Sequence, residues 1–239
     1  MYRKGAQDAK RSRLFTRLIR ELTTAARSGM PDPAMNPRLR VAVQAAKAAN
    51  VPRDTISRAI KRGGDPNEAE TFVEIRYEGF APGGVAVIVE ALADNRNRTT
   101  ADVRAAFTKN GGNLAESGSV SYLFDRVGEV VFPTAAATAE EVLDAAVQAG
   151  ADDYESSEIG HLVACAPDAL NSVRDAMESQ LGPSQNARLV WRPQTTIPVD
   201  ENDAPNLFKL LEALEESDDV QAVSANYEVS DTLMENIDS

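Results

Sequence analysis

Few residues in this 239-residue chain are of the types that carry covalent chemistry. The single histidine, His161, and the single cysteine, Cys165, lie four positions apart in a stretch that reads as a strand. In extended chain that spacing puts both on one face but about 13 Å apart, too far for a cysteine–histidine nucleophile pair. A strand histidine and a buried cysteine are therefore expected. Asp152, Asp153, Glu155 and Glu158 make a carboxylate cluster of the kind that holds a hard cation. Their spacing is not that of a calcium loop, and a solvated acidic loop is the simpler reading. The sequence has no Walker loop, no G-x-G-x-x-G, no G-x-S-x-G and no H-E-x-x-H. The expectation is a protein that is not an enzyme, with no cofactor, no metal and no small-molecule substrate.

Charge makes a stronger pattern. The net charge is −12, which taken as an average opposes nucleic-acid binding. The average hides an asymmetry: Met1 to Arg62 holds 15 Lys and Arg against 4 Asp and Glu, and the remainder 10 against 33. A basic segment beside an acidic body is the pattern of a polyanion binder, because each phosphate neutralised by Lys or Arg releases condensed counterions. The candidate contacts are Lys4, Lys10, Arg11, Arg13, Arg17 and Arg20, joined by Lys47, Arg53, Arg58, Lys61 and Arg62. Arg96 and Arg98 are less certain additions. The competing reading is a solvated surface, or a patch that docks on the acidic body. No aromatic-rich strand of the RNA-recognition type appears, so base stacking is not expected.

The elements that position these residues follow from periodicity. Over Gln7 to Ser28, Leu14, Phe15, Leu18, Ile19 and Leu22 mark one apolar helix face, with Arg13, Arg17 and Arg20 on another. The proline-rich "MPDPAMNP" is a loop, and a second helix covers about Arg38 to Ala49. "NVPRDTISRAIKRGG" is a third, with Asp54 at its start and Gly63-Gly64 as its stop. From Asp65 the period changes to that of strands. "TFVEIRYEGF" and "VAVIVEAL" flank the turn Ala81-Pro82-Gly83-Gly84, and a helix from about Thr100 to Asn110 leads to the strand "SVSYLFD". There Thr99 and Asp102 read as a capping pair, and Gly111 as the left-handed residue after the helix. Arg96 and Arg98, in "DNRNR" before that helix, either pair with local carboxylates or extend the polyanion surface; pairing is the favoured reading.

From Val127 to Pro193 the order is β-α-β-β-α-β, the ferredoxin-like arrangement. A last helix and strand, "APNLFKLLEALEESDDV" and "QAVSANYEV", return to complete the preceding unit. The fold expected is α+β: an N-terminal helical bundle followed by two ferredoxin-like α/β domains, one inserted in the other. The expected boundaries are 1–64, 65–127 plus 197–239, and 128–196. No apolar run is long enough to span a membrane and the N-terminus has no signal-peptide core. A lone cysteine fits a reducing compartment, so a cytoplasmic location is expected.

Four segments carry a family resemblance: "GAQDAKRSRLFTRLIREL", "NPRLRVAVQAAKAANVPRDTISRAIKRG", "YEGFAPGGVAVIVEALADNRNRTTADVRAAFTKNGGNLAESGSVSYLFDRVG" and "LLEALEESDDVQAVSANYEV". In collinear order they resemble the YebC/PmpR family, which includes the mitochondrial translational activator of cytochrome oxidase. That family opens with a short "GHSKW"-like arm, where this sequence has only Met1 to Lys4. The resemblance implies three domains and a non-enzymatic regulator of gene expression. Its partner would be DNA, as for members labelled transcriptional regulators, or ribosomal RNA and the ribosome, as for members that aid synthesis of proline-rich proteins. A mitochondrial matrix location becomes the alternative if a longer form carries a transit peptide.

Overall fold

Asn36 joins the first two helices. Its side-chain oxygen accepts from the Leu39 amide at 3.0 Å and starts α2 (Pro37–Ala48). Its side-chain nitrogen donates to the carbonyls of Ala25 at 2.7 Å and Met30 at 2.9 Å, which ties the end of α1 (Tyr2–Ser28) to the same point. The structure, a computed structural model, describes residues 2–67 and 72–230, with side chains from residue 8 onward. α3 (Arg53–Gly64) closes the helical unit over a core of Leu22, Ala25, Leu39, Val43, Ala46 and Ile56. Leu22 and Leu39 are fully buried, each stabilising the unit by about 2 kcal/mol relative to exposure.

Two expectations for α3 need correction. Asp54 makes no capping bond: Pro52 occupies the N-cap, and Asp54 sits in the first turn, where the helix dipole favours a carboxylate. The helix does end at Gly64 as expected, but neither glycine takes the left-handed conformation of a stop residue. A Cβ on Gly63 would lie 2.3 Å from the Thr23 carbonyl oxygen and 2.8 Å from the Ala26 methyl, so glycine is there to let α3 press onto α1.

The rest of the described chain forms antiparallel sheets covered by helices. β1 (Val73–Phe80) and β2 (Ala86–Ala93) make a hairpin in full register, Val73 opposite Ala93 and Phe80 opposite Ala86. α4 (Arg96–Lys109) leads to the short β3 (Asn113–Ala115), which pairs with the end of β1. β9 (Val220–Ala225), reached through α7 (Ala204–Glu215), pairs with the other side of β2, giving the order β3-β1-β2-β9. α4 and α7 pack over Tyr77, Val87 and Val89 through Val103, Phe107, Leu207 and Leu210. Ile197–Pro198 (β8), just before α7, pairs in parallel with Tyr227–Glu228 (β10), just after β9.

The second sheet comes from β4 (Phe124–Phe132), β5 (Asp153–Ser157), β6 (Gly160–Cys165) and β7 (Asn186–Pro193), in the order β5-β6-β4-β7. α5 (Ala139–Ala149) and α6 (Leu170–Leu181) cover it, so this sheet has the expected β-α-β-β-α-β connectivity. The first sheet does not, because it begins with a hairpin and its two helices follow β2 and precede β9; the ferredoxin-like reading fails there. "SVSYLFD" also differs from expectation. Ser121–Leu123 is a 3-10 turn, and β4 begins at Phe124 and runs unbroken through the expected boundary at 127/128. Gly128 is the flat spot that permits this: a Cβ there would meet the Cys165 sulfur at 2.8 Å and the Leu170 Cβ at 3.0 Å.

Buried Glu78 fixes the entry to β4. Its Oε2 accepts from the amides of Val120 at 2.8 Å and Ser121 at 3.0 Å. Burial acts to raise its pKa, but these backbone bonds and Arg76 hold it below the usual carboxylate value. Where the two sheets meet, Trp191 lies between the Arg76 and Arg126 guanidinium groups, 5.1 and 5.0 Å from its ring centre.

Gly63→Ala separates helix propensity from packing. In an exposed helix alanine gains about 1 kcal/mol over glycine. Here the contact with Thr23 costs more, by overpacking of about 1–3 kcal/mol. The variant is expected to unfold at lower urea than the wild type, as followed by circular dichroism.

Candidate nucleic-acid interface

The helical spacing of α1 divides its basic residues between two surroundings. Arg13, Arg17 and Arg20 share a face, and that face lies on the end of α7 and the turn into β9. Arg13 pairs with Glu216 at 3.4 Å, and Arg17 donates to the carbonyl of Glu215. Arg20 forms an ion pair with Asp219, donates to the Leu92 carbonyl at 2.9 Å and covers the Phe72 ring at 5.2 Å. The docking alternative raised by the sequence thus describes these three side chains in the structure.

Asp219 is the centre of this contact. It is 5% exposed and receives Arg20 from α1, Arg98 from α4 at 3.2 Å and the Thr99 hydroxyl at 2.6 Å. Its backbone carbonyl accepts from Leu92 at 2.8 Å. Burial acts to raise its pKa; the bonds from Thr99, Arg20 and Arg98 outweigh it and hold the carboxyl below its ordinary value. Arg98 also pairs with Asp94, so the favoured pairing of this residue within the acidic body is what the structure has. Arg96 differs: it is exposed and takes no ion pair among the described residues.

The helix start explains the difference. α4 begins at Arg96, not at Thr100, because the Asn95 side chain accepts from the amides of Asn97 at 3.1 Å and Arg98 at 3.2 Å. Thr99 is therefore inside the helix, bonded to the Asn95 carbonyl and to Asp219, and Asp102 is not a capping partner. Gly111 has the left-handed conformation expected, with φ of 78°.

The remaining basic candidates point outward. Lys10 and Arg11 are exposed on α1, with the Arg11 guanidinium 5.2 Å from the Phe15 ring centre. Lys47 on α2 and Arg53, Arg58, Lys61 and Arg62 on α3 are also exposed. The Lys4 side chain lies outside the described residues. Sequence reasoning passed over Arg38, which holds Glu21 at 2.7 Å and Glu74 at 2.5 Å and so joins α2 to both α1 and β1. It also passed over Asp219, which nothing in the acidic run "EESDDV" distinguishes.

The residues first read for chemistry are occupied structurally. The His161 Nε2 faces the Ala137 carbonyl at 3.1 Å, which can only accept, so in the neutral ring Nδ1 accepts from the Ser156 hydroxyl at 2.9 Å. Cys165 is buried, and burial pushes its thiol up. Asp153 pairs with Arg192 at 2.6 Å, a bond that lowers its pKa. Among the described residues no three His, Cys, Asp or Glu side chains gather as a metal site, and no helix is long and apolar enough to cross a membrane.

Replacing Asp219 by Asn leaves Arg20 largely buried without its counter-charge. The expected cost at neutral pH is about 3 kcal/mol, as for removal of one partner of a buried pair. The folded pKa lies below the unfolded value of about 3.9, so this stabilisation is complete above that value and is lost as pH falls through the folded one. The gap in urea midpoint between wild type and variant should therefore shrink below about pH 4. A gap unchanged in acid would show that the charge is not what stabilises the contact.

Comparison with known proteins agrees with this architecture along the chain. A family model described as the TACO1/YebC protein N-terminal domain matches residues 1–65. A second, described as the TACO1/YebC second and third domain, matches residues 72–227. The structure is similar to the crystal structure of a conserved hypothetical protein, Aq1575 from Aquifex aeolicus, with a TM-score of 0.89 and 48% sequence identity. That likeness covers 94% of this chain and 93% of that chain. On these matches the chain belongs to the TACO1/YebC family.

Proposed function

We propose that the protein is a non-enzymatic regulator of gene expression that binds nucleic acid through its N-terminal helical unit. Family membership supports a regulator of transcription or translation. The observation that carries the nucleic-acid reading is the charge on the outward side of the helical unit. Lys10, Arg11, Lys47, Arg53, Arg58 and Lys61 remain exposed after Arg13, Arg17 and Arg20 are taken up by the acidic body. Such a surface contacts phosphates, and phosphate contacts position a protein without reading sequence. We further read the first sheet with α4 and α7 as one discontinuous domain, into which the unit that begins with β4 at Phe124 is inserted.

Binding of promoter DNA is the first form of this function. Association with ribosomal RNA is the second, and it is favoured by one feature. The exposed candidates are spread over α1, α2 and α3 rather than set along one recognition helix, and phosphate recognition of this kind serves a structured RNA as well as a duplex.

Crosslinking in cells, with sequencing of all bound DNA and RNA, decides between the forms. Enrichment over promoters assigns transcription, enrichment over ribosomal RNA assigns translation, and enrichment of neither overturns the reading. In vitro, reversing Lys47, Arg58 and Lys61 to Glu is expected to weaken retention on nucleic acid and to lower the salt slope of binding by about 2–3, as for three lost phosphate contacts.

A further inference from the structure

The acidic body contains eight arginines after residue 65. Arg76, Arg98, Arg126, Arg174, Arg188 and Arg192 each take a carboxylate. Arg96 and Arg104 take none among the described residues, although this part of the chain carries a large excess of Asp and Glu. Both line the same groove, a space of about 520 Å³ between β1 and the outer face of α4.

The construction of the groove follows from α4 and β1. Arg96, Thr100 and Arg104 recur at i, i+4 and i+8, so they form one row along the helix, its ends about 12 Å apart. The opposite wall is the first half of β1. β3 pairs only with Glu78 to Phe80, which leaves that half open on the groove side. Asn97 and Ser117 add polar groups to the lining. The acidic member, Glu78, is spent on the Val120 and Ser121 amides and on Arg76.

The first turn of α4 gives a second, independent indication. It contains Arg96 and Arg98 and no acidic residue, the reverse of what the helix dipole favours. Arg98 is compensated by Asp94 and Asp219. Arg96 is not, and an anion in the groove would supply both its counter-charge and the partner that the helix terminus attracts.

The two walls also belong to elements that hold the helical unit. Arg38 of α2 reaches Glu74 of β1, and Arg20 of α1 shares Asp219 with Arg98 of α4. The aromatic side chain in the lining, Tyr77, is buried with its hydroxyl 3.0 Å from that of Thr100, so it offers no face for a base to stack on. Space of this size takes one strand and not a duplex.

We propose that this groove binds the phosphodiester backbone of a single nucleic-acid strand, with Arg96 and Arg104 as the phosphate contacts. The assignment rests on the nucleic-acid reading of the helical unit and extends it to the acidic body. Binding here is independent of base sequence.

The test titrates the full chain with a short fluorescent oligouridylate over about 50–200 mM salt. Arg96→Gln with Arg104→Gln is expected to weaken binding roughly tenfold and to lower the salt slope by about 1.4, the value for two single-strand contacts. Neither arginine has an ion pair to lose, so the urea midpoint should stay at the wild-type value. The Lys47, Arg58 and Lys61 reversal is run beside it. If that reversal weakens binding and the Arg96/Arg104 variant leaves affinity and slope unchanged, the groove proposal is wrong and the helical-unit reading stands. If the wild type does not bind at all, both fail. Polyglutamate displacing the oligouridylate from the helical-unit variant as well as unlabelled oligouridylate does would make the occupant an acidic protein segment and overturn the proposal.

Discussion

The Asp219 carboxylate is the contact on which the arrangement of the molecule depends. It stands at the start of β9 and receives one arginine from α1, a second arginine and a hydroxyl from α4, while its own carbonyl holds the end of β2. Removing it would take the shared acceptor from two guanidinium groups and a threonine at the junction of three elements. The neighbouring Arg13–Glu216 pair is more exposed and contributes at most about 1 kcal/mol. The difference is one of dielectric: at the 5% exposed Asp219 the same charges interact with little screening by water or salt. The helical unit is thus held by one buried ionic point with weaker contacts around it.

This arrangement accounts for the charge asymmetry of the chain without giving all of it to a partner. α1 has an apolar face toward α2 and α3 and a face of arginines toward the acidic body. Part of the positive excess before residue 63 therefore stabilises the protein itself. What remains outward is smaller than the sequence total but is concentrated on α3 and the neighbouring turns of α1 and α2. The acidic surface beyond repels phosphate, so any polyanion contact there has to be made at a local positive point.

Much of the helical unit was legible because its signal is periodic. Leu18, Ile19 and Leu22 recur on one face and are buried or half-buried against the other helices. The β4–β7 sheet was legible for the same reason, its alternating strands separated by turn residues. The errors were at points where a side chain or a close approach overrides local grammar. Gly63 reads only as the end of a helix and is also a crossing point; Gly128 reads as the start of a domain and lies inside β4. The return of the last helix and strand to the first sheet was legible from the αβ pair that this unit lacked, and β9 does pair with β2; the strand order of that sheet could not be read from propensity. Asp219 was hidden because its neighbours in sequence are also acidic, and only the long-range fold brings arginines to it.

The segment "DNRNR" shows how a shift of one turn changes chemistry. Had α4 started at Thr100, Arg96 and Arg98 would lie in a loop with no fixed relation to each other. Asn95 starts the helix four residues earlier. Two residues in a helix are separated by about 200° of rotation, so neighbours of the same type are sent to opposite sides. One goes to the buried carboxylate that binds the helical unit, and the other to the open groove. The identity of a single capping residue thus determines which of two arginines is structural and which is left without a carboxylate among the described residues.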